Sequence, residues 1–160
     1  NRSARIDSLF FNPDGTIQKV EPTLRGVGLT QASDTIQIDR YSAKSDKGSS
    51  IAFKDTSNTF RGWKTILDEP GAWIQYNAVD FGNNPFKSFQ VKAKSKSGGT
   101  LQIRLGETDG PIISEVQVPK MSKWYPVTSK ISELPNGTHN LVVTLKTENS
   151  VETDWIRFVP

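Results

Sequence analysis

The sequence predicts an all-β fold, namely an antiparallel β-sandwich of the jelly-roll type. Short segments of alternating apolar and polar residues recur along the chain, and turn signals of Gly, Pro, Asn or Asp separate them about every dozen residues. No segment keeps the helical period over several turns. A chain of 160 residues buries roughly two-thirds of the surface that its unfolded form exposes, so a single sandwich of this length needs no disulfides.

The first two predicted strands form a segment that is separate from the sandwich. Residues 4–11 and 16–20 have the pattern of two short strands, and the turn signal Asn12-Pro13-Asp14-Gly15 stands between them. An isolated hairpin is only marginally stable in water, so this one must pack either on the sandwich that follows it or on a preceding domain. We therefore predict a terminal hairpin and linker from a preceding domain at 1–28, and the sandwich at 29–160.

The remaining strands begin at residue 35, and the strand at 72–79 is the most typical of them. We predict strands at 35–41, 49–54, 63–67, 72–79, 86–94, 101–105, 112–118, 124–129, 141–145 and 154–159. Alternation within 72–79 assigns Ala72, Ile74, Tyr76 and Ala78 to the core face, and Trp73, Gln75, Asn77 and Val79 to the other face. An aromatic ring beside two amides on that second face indicates a sheet that binds a ligand.

The composition excludes several kinds of site. With no Cys and one His, the sequence has no disulfide, no thiolate metal site, no Cys nucleophile and no cluster of imidazole ligands. Its 20 basic and 17 acidic residues give a net charge of +3 and are spread along the chain. The weak cluster of Lys87, Lys92, Lys94 and Lys96 alternates with apolar residues, which indicates the solvated face of a strand. Neither nucleic acid nor a membrane is therefore an expected partner.

Catalytic groups are not predicted. Glycoside hydrolysis needs two carboxyl groups held across a cleft. Glu107 and Asp109 instead flank a hairpin turn, and Glu148 and Glu152 share one loop. His139 has no nearby Ser with the pattern of a nucleophile elbow. We expect this chain to be a binding domain and not an enzyme.

Several short motifs follow one another between residues 35 and 159. They are Ile-Gln-Ile-Asp-Arg-Tyr at 36–41, Gly-Ala-Trp-Ile-Gln-Tyr at 71–76, Val-Asp-Phe-Gly at 79–82, Gly-Gly at 98–99 before Leu-Gln-Ile-Arg-Leu, Lys-Trp at 123–124, Asn-Gly-Thr-His-Asn-Leu at 136–141 and Asp-Trp-Ile-Arg-Phe at 154–158. In this order the motifs resemble the family 6 carbohydrate-binding modules. The resemblance implies a non-catalytic sandwich that binds a polysaccharide or oligosaccharide.

The first segment separately resembles the closing hairpin of family 43 glycoside hydrolases. The similarity lies in Asn-Arg-Ser at 1–3 and in the run from Asn12 to Val20. It implies a covalently linked N-terminal catalytic domain, with its carboxylates outside this sequence. The expected ligand is a plant cell-wall polysaccharide of the xylan, arabinoxylan or arabinan type. The protein is then expected to be a monomer that is secreted, periplasmic or attached to the cell surface.

A sugar site needs flat rings that stack on pyranose C–H surfaces, with a few amides or carboxylates for the hydroxyl groups. In the resembled family the main cleft lies among loops at one edge of the sandwich and holds a sugar between two aromatic rings near an Asn. By position Trp124 matches one ring, and Trp63 is the candidate for the other. At the position where the resembled family has this Asn, the present sequence has Glu152. Asn149 lies three residues before that position. The competing interpretation of Trp124 is a core residue.

A second site of the resembled family lies on a sheet face, where Trp73 and Gln75 are the candidates. The family also carries a structural calcium ion that joins the first strand to the last. Calcium takes six to eight hard oxygen ligands. The resemblance assigns this role to Gln37, Asp39 and Asp154, for which a polar edge strand is the competing interpretation.

Two other functions stay open at this point. One is a degenerate module that serves as a structural spacer or interdomain packing domain, which the Glu at position 152 and the long segment at 64–70 favour. The other is a stand-alone glycosidase, for which no pair of carboxylates is apparent. Retardation in gels that contain xylan or arabinan, abolished by Trp124→Ala, separates binding from the spacer, and hydrolysis of an aryl-arabinoside or aryl-xyloside would establish the glycosidase.

Overall fold

The computed structural model describes residues 6–20, 28–83, 85–132, 134 and 136–160. Two six-stranded sheets form the molecule, which confirms the predicted all-β sandwich. The strands are β1 Thr30–Gln31, β2 Ile36–Gln37, β3 Ala43–Lys44, β4 Ser49–Phe53, β5 Trp63–Leu67, β6 Trp73–Asp80, β7 Ser88–Ser95, β8 Gly99–Leu105, β9 Ile112–Val118, β10 Met121–Lys130, β11 Thr138–Leu145 and β12 Val151–Val159. A 3₁₀ turn covers Thr59–Arg61, and among the described residues no helix has the length and apolarity to cross a membrane.

The strand order places distant segments of the sequence side by side. The first sheet has the order β1-β6-β11-β8-β9, with β3 also paired to β6. The second sheet has the order β10-β7-β12-β5-β4, with β2 also paired to β12. The pairing of β1 with β6 is parallel, and the other pairings are antiparallel. Because β12 is central in the second sheet, its side chains meet those of β7 on one side and β5 on the other.

The core lies between the two sheets and includes a cluster of rings. Phe158 of β12 makes edge-to-face contacts with Phe81 and Phe89, whose ring centroids lie 4.9 and 5.1 Å away. Tyr76 of β6 is buried as predicted, and its hydroxyl donates a hydrogen bond of 2.6 Å to the Ile38 carbonyl oxygen. Burial, with the nearby Asp39 charge, raises the pKa of Tyr76 well above its ordinary value, so this hydroxyl stays a donor.

The alternation of β6 breaks at Ala78. This residue has a positive φ of 53°, and the pairing of β6 with β11 shifts register around Asn140. The Ala78 N–H donates a hydrogen bond of 3.2 Å to Asn140 Oδ1. Irregularities of this kind re-aim the side chains that follow them. Val79 consequently faces the core and is fully buried, so its predicted place on the outer face is wrong.

Within the described residues 6–20, the terminal segment forms the predicted turn and a short antiparallel pairing. The Asn12 carbonyl oxygen accepts a hydrogen bond of 2.9 Å that closes the turn, and an antiparallel bridge joins Phe11 to Ile17. The large apolar side chains of this segment are 38–72% exposed. The rest of the predicted hairpin and linker, residues 1–5 and 21–27, lies outside the described residues. The domain boundary at residue 28 stays a prediction.

Candidate functional site

A cleft of about 590 Å³ opens beside the connection between β4 and β5, on the second sheet. Its lysines alternate along β5 and β7 with the buried side chains of Thr65, Val91 and Ala93, so it lies on the sheet face turned away from the core. The lining residues are Phe53, Lys54, Asp55, Thr56, Arg61, Lys64, Lys92, Trp124 and Asp154. They come from five strands and one loop, which no short sequence motif brings together.

Two irregularities of strand pairing lie at the cleft. The pairing of β10 with β7 shifts register just before Tyr125, and the pairing of β12 with β7 shifts just before Trp155. Trp124 lies within the first shift and Asp154 within the second. Bulges bend the strand and re-aim side chains, and they are frequent next to functional sites. The cleft is therefore built where two strands depart from regular pairing.

Aromatic rings form the apolar part of the cleft. Phe53 and Trp63 stack with their centroids 3.9 Å apart and their planes 26° from parallel. Trp63 remains 42% exposed, while Phe53 and the half-buried Trp124 line the cleft itself. The Lys94 ammonium group lies 5.0 Å from the centroid of the Trp124 ring. Flat rings at such an edge provide apolar surface for the C–H face of a sugar.

The Asp154 carboxylate lies between two ammonium groups. Its Oδ1 is 2.8 Å from Lys54 Nζ, and its Oδ2 is 3.1 Å from Lys92 Nζ. The Asp154 side chain is only 2% exposed, and the lysine side chains are 21% and 33% exposed. A buried carboxylate needs such partners, because an unpaired charge is costly outside water. We call these three residues the Asp154 triad.

Glu152, two residues before Asp154 on β12, has the same arrangement. Its Oε2 lies 2.7 Å from Lys64 Nζ and 3.0 Å from Lys94 Nζ. Burial alone raises the pKa of Glu152, but hydrogen bonds and positive charge from Lys64 and Lys94 outweigh it, and the pKa is lowered. We call these three residues the Glu152 triad. Lys92 and Lys94 lie on the partly exposed outward face of β7, as predicted, and the structure adds that both are paired with carboxylates of β12.

Three of the predicted binding residues come together in this region. Lys94 contacts both the Trp124 ring and the Glu152 carboxylate, and Trp63 packs on the cleft residue Phe53. Asn149 lies exposed in the loop between β11 and β12. The next residue along the chain lines a second cleft of about 400 Å³, which shares Glu152 and Lys94 with the triad. The roles of these residues in binding stay predictions.

Trp73 and Gln75 lie on β6 of the first sheet, away from Trp124. Both are half-buried, and the Gln75 side-chain amide donates a hydrogen bond of 2.7 Å to Asn77 Oδ1. They face away from the core like the cleft residues, but on the other sheet. One sugar ring cannot contact both sets, so these residues form a second candidate surface, separate from the cleft beside Trp124.

Sequence reasoning assigned a role to Trp124 and Asp154 and missed the other seven lining residues, among them Phe53 and three lysines. Phe53 becomes recognisable only through its register with Trp63 across β4 and β5. Lys64 and Lys92 alternate with buried residues, which is typical of any exposed strand face, and Lys54 directly follows the last residue of β4. Knowledge of the strand order was needed, because β5, β7 and β12 are adjacent in the sheet and far apart in the sequence.

The residues predicted to bind calcium do not fit that ion in this arrangement. Asp154 directs both carboxylate oxygens to lysine ammonium groups, which carry no lone pair for a metal. Gln37 is exposed and stands opposite Trp155 in strand register, while Asp39 lies near the hydroxyl of Tyr76. Within the described ranges, no three His, Cys, Asp or Glu side chains are grouped to hold a metal.

Comparison with known sequences gives one family and a set of longer relatives. Residues 41–160 match the profile described as carbohydrate binding module (family 6). A relative from Paenibacillus polymyxa, described as an arabinoxylan arabinofuranohydrolase, is 25% identical over an alignment of 169 positions, gaps included, that covers 99% of this chain and 26% of the relative. The chain thus spans about a quarter of the length of the first curated relatives that it matches.

Comparison with solved structures supports the same fold. A β-1,3-glucan binding CBM6 from Bacillus halodurans superposes with a TM-score of 0.73 and 26% identity, covering 83% of this chain and 100% of that one. A more distant carbohydrate-binding module, CBM36 in complex with calcium and xylotriose, has a TM-score of 0.61 and 11% identity, covering 79% of this chain and 99% of its own. At that identity the second likeness shows the fold alone.

Proposed function

This chain belongs to family 6 of the carbohydrate-binding modules, and on that premise we propose that it binds plant cell-wall polysaccharide through the cleft beside Trp124. The family match confirms that the chain is a binding module and not an enzyme. The observation that carries the proposal is the Trp124 ring, which lines an open cleft together with hydrogen-bonding side chains of three neighbouring strands. Such a combination of ring and polar groups is the usual make-up of a small-ligand site.

The polysaccharide that we propose is of the xylan, arabinoxylan or arabinan type. Support comes from the relatives described as arabinoxylan arabinofuranohydrolases, which match nearly the whole chain. In this proposal the module is covalently linked to a family 43 catalytic domain outside the cell. It keeps that domain near insoluble substrate, which is an effective-concentration effect and involves no chemistry by the module. One or two stacked sugars bury little surface, so single-site binding is weak.

The surface of Trp73 and Gln75 is a second candidate for glycan contact. Calcium at Gln37, Asp39 and Asp154 stays a prediction from the family resemblance, and the ion pairs of Asp154 argue against a metal at that carboxylate. The binding mechanism that we propose uses only side chains. Trp124 stacks on a sugar ring, the lysines donate hydrogen bonds to hydroxyl or carboxyl oxygens, and the two triads keep those lysines in place.

Affinity electrophoresis in gels with arabinoxylan, xylan or arabinan tests the proposal. The unmodified chain is expected to migrate more slowly in at least one gel, and Trp124→Ala to abolish the delay. Tyr125→Ala is the matched control, because the neighbouring ring is 60% exposed and does not line the cleft. If Trp73→Ala abolishes the delay in migration and Trp124→Ala does not, the binding site lies on the first sheet. Free migration in every gel rejects glycan binding and favours a structural spacer.

A further inference from the structure

The cleft has an excess of positive charge that the binding of a neutral glycan does not require. Its lining includes four cationic side chains, Lys54, Arg61, Lys64 and Lys92, against the two carboxylates of Asp55 and Asp154. The adjoining Glu152 and Lys94 cancel each other, so the excess remains. By contrast, the whole chain has a net charge of only +3. Most of the net charge of the molecule is therefore concentrated beside one tryptophan.

The lysines are held in place. In the two triads, each of the four ammonium groups lies within 3.1 Å of a carboxylate oxygen. Their side chains are between 16% and 33% exposed, so they are partly desolvated and still reachable. An ammonium group has three N–H donors, and its bond to the carboxylate uses one of them. Rotamer freedom has thus been lost before any ligand arrives, which lowers the cost of binding.

Each triad joins two positive charges to a single negative one. The positive charges of the two lysines repel each other, and the single carboxylate neutralises only one of these charges. A second anion beside the pair relieves that repulsion, and partial burial strengthens the interaction relative to bulk water. Lys64 and Lys92 each belong to a different triad and both line the cleft with Trp124. An anion in this cleft consequently meets both triads.

From this geometry we propose that the module selects glycans in which a sugar carries an anionic group, with the ring stacked on Trp124 and the charged oxygens bound by Lys64 and Lys92. The proposal rests on the glycan binding argued above and adds its substrate class. A uronic acid carboxylate and a sulfate ester present the same chemistry to an ammonium group, namely charged oxygens that accept hydrogen bonds. Neutral xylan or arabinan then binds through the ring alone and more weakly.

The test compares one polysaccharide with and without its charge. Glucuronoxylan and the same material after reduction of its carboxyl groups to alcohols are each cast into native gels, with neutral arabinoxylan and a sulfated galactan as further arms. The chain is expected to be retarded about twofold to fivefold more by glucuronoxylan than by its reduced form, since one partly exposed charged contact is worth up to about a fivefold change in affinity. The sulfated galactan shows whether sulfate serves equally well.

Two variants show whether the cleft is responsible. Lys64→Gln and Lys92→Gln each leave a carboxylate with one lysine partner, so the affected triad changes from a net charge of +1 to neutral, and the carboxylate keeps an ion pair that retains the fold. Each is expected to lose most of the preference for charged glycan and to keep its binding to the reduced form. Lys130→Gln is the control, because it removes the same charge from an exposed position on β10 of the same sheet, outside the cleft.

The outcomes separate the two proposals. Equal retardation by glucuronoxylan and its reduced form overturns the anionic preference and leaves glycan binding intact. A loss of preference as large in Lys130→Gln as in Lys92→Gln also overturns it, because net charge then explains the effect. If no gel retards the chain, glycan binding itself fails, and the charge inference fails with it.

Discussion

Lys54 and Asp154 stand 100 residues apart in the sequence, and a hydrogen bond of 2.8 Å joins Lys54 Nζ to Asp154 Oδ1. Lys54 directly follows β4, Asp154 belongs to β12, and β5 lies between these strands in the sheet. The lysine side chain therefore reaches over β5. On the other side Lys92 of β7 contacts the same carboxylate. One buried side chain thus links both halves of the second sheet.

We expect Asp154→Asn to lower the free energy of unfolding by about 1–3 kcal/mol. Removing one partner of a buried ion pair costs about 3–5 kcal/mol when the charges left behind are sealed from water. Here Lys54 and Lys92 remain partly exposed, so solvent reduces that penalty. Urea denaturation measures the change, with Asp46→Asn at an exposed position as the control. A variant as stable as the parent would mean that the Asp154 triad does not stabilise the sheet.

The pH dependence of stability should identify Glu152 as an ionised group in the folded state. Its folded pKa is lowered, so the stabilisation from its triad is present above the ordinary glutamate value of 4.5 and is lost as the pH falls through the lowered value. Glu152→Gln is therefore expected to be less stable than the parent at neutral pH and to match it at acidic pH. Chemical denaturation at several pH values measures both. A stability difference that stays constant over the whole range would contradict the prediction.

We expect the melting temperature to be the same with calcium and with a chelator, within about 1 °C. A metal that binds only the folded state raises stability in proportion to the logarithm of its concentration. The Asp154 carboxylate, however, already has two ammonium partners at 2.8 and 3.1 Å. Thermal denaturation in calcium or EDTA tests this, with magnesium as the control for ionic strength. A saturable rise with calcium alone would instead support the ion that the family resemblance implies.

The backbone at Ala78 offers a test of local strain. A positive φ of 53° is unfavourable for any residue with a Cβ and costs glycine nothing. Ala78→Gly should therefore leave stability unchanged or raise it by up to about 1 kcal/mol, whereas Ala78→Val should lower it by more than 1 kcal/mol, in order-of-magnitude terms. Ala93→Gly in the regular part of β7 is the control and should be destabilising. Denaturation midpoints in urea decide between these outcomes.

Alternation along single strands was enough to predict the class of fold and most of the core. Tyr76 is buried as its position in the strand predicts, since tertiary packing there follows the regular pleat. Val79 departs from the pattern because the pairing irregularity at Ala78 depends on the partner strand β11. Neither strand's own sequence contains that information.

The binding cleft was predictable only in part, for a similar reason. Trp124 and Trp63 stand out in the sequence as aromatic residues near turns, and both lie at the cleft or beside it. The lysines around Asp154 and Glu152 looked like a solvated strand face, because ion pairs between β5, β7 and β12 depend on strand order. Strand order is set by long-range packing and not by local pattern.

Deletion of residues 1–27 should leave the sandwich folded and make it more soluble. Phe11 and Ile17 form an isolated bridge in the described part of the terminal hairpin, and both side chains are about 60% exposed. A hairpin with this little pairing adds almost nothing to the stability of the sandwich, so the melting temperature should change by less than about 2 °C for a domain of this size. Light scattering at high concentration should show less association than in the full chain, and Phe11→Ser with Ile17→Ser in the full chain should have the same effect. A large drop in melting temperature on deletion would mean that the hairpin packs on the sandwich and belongs to the module.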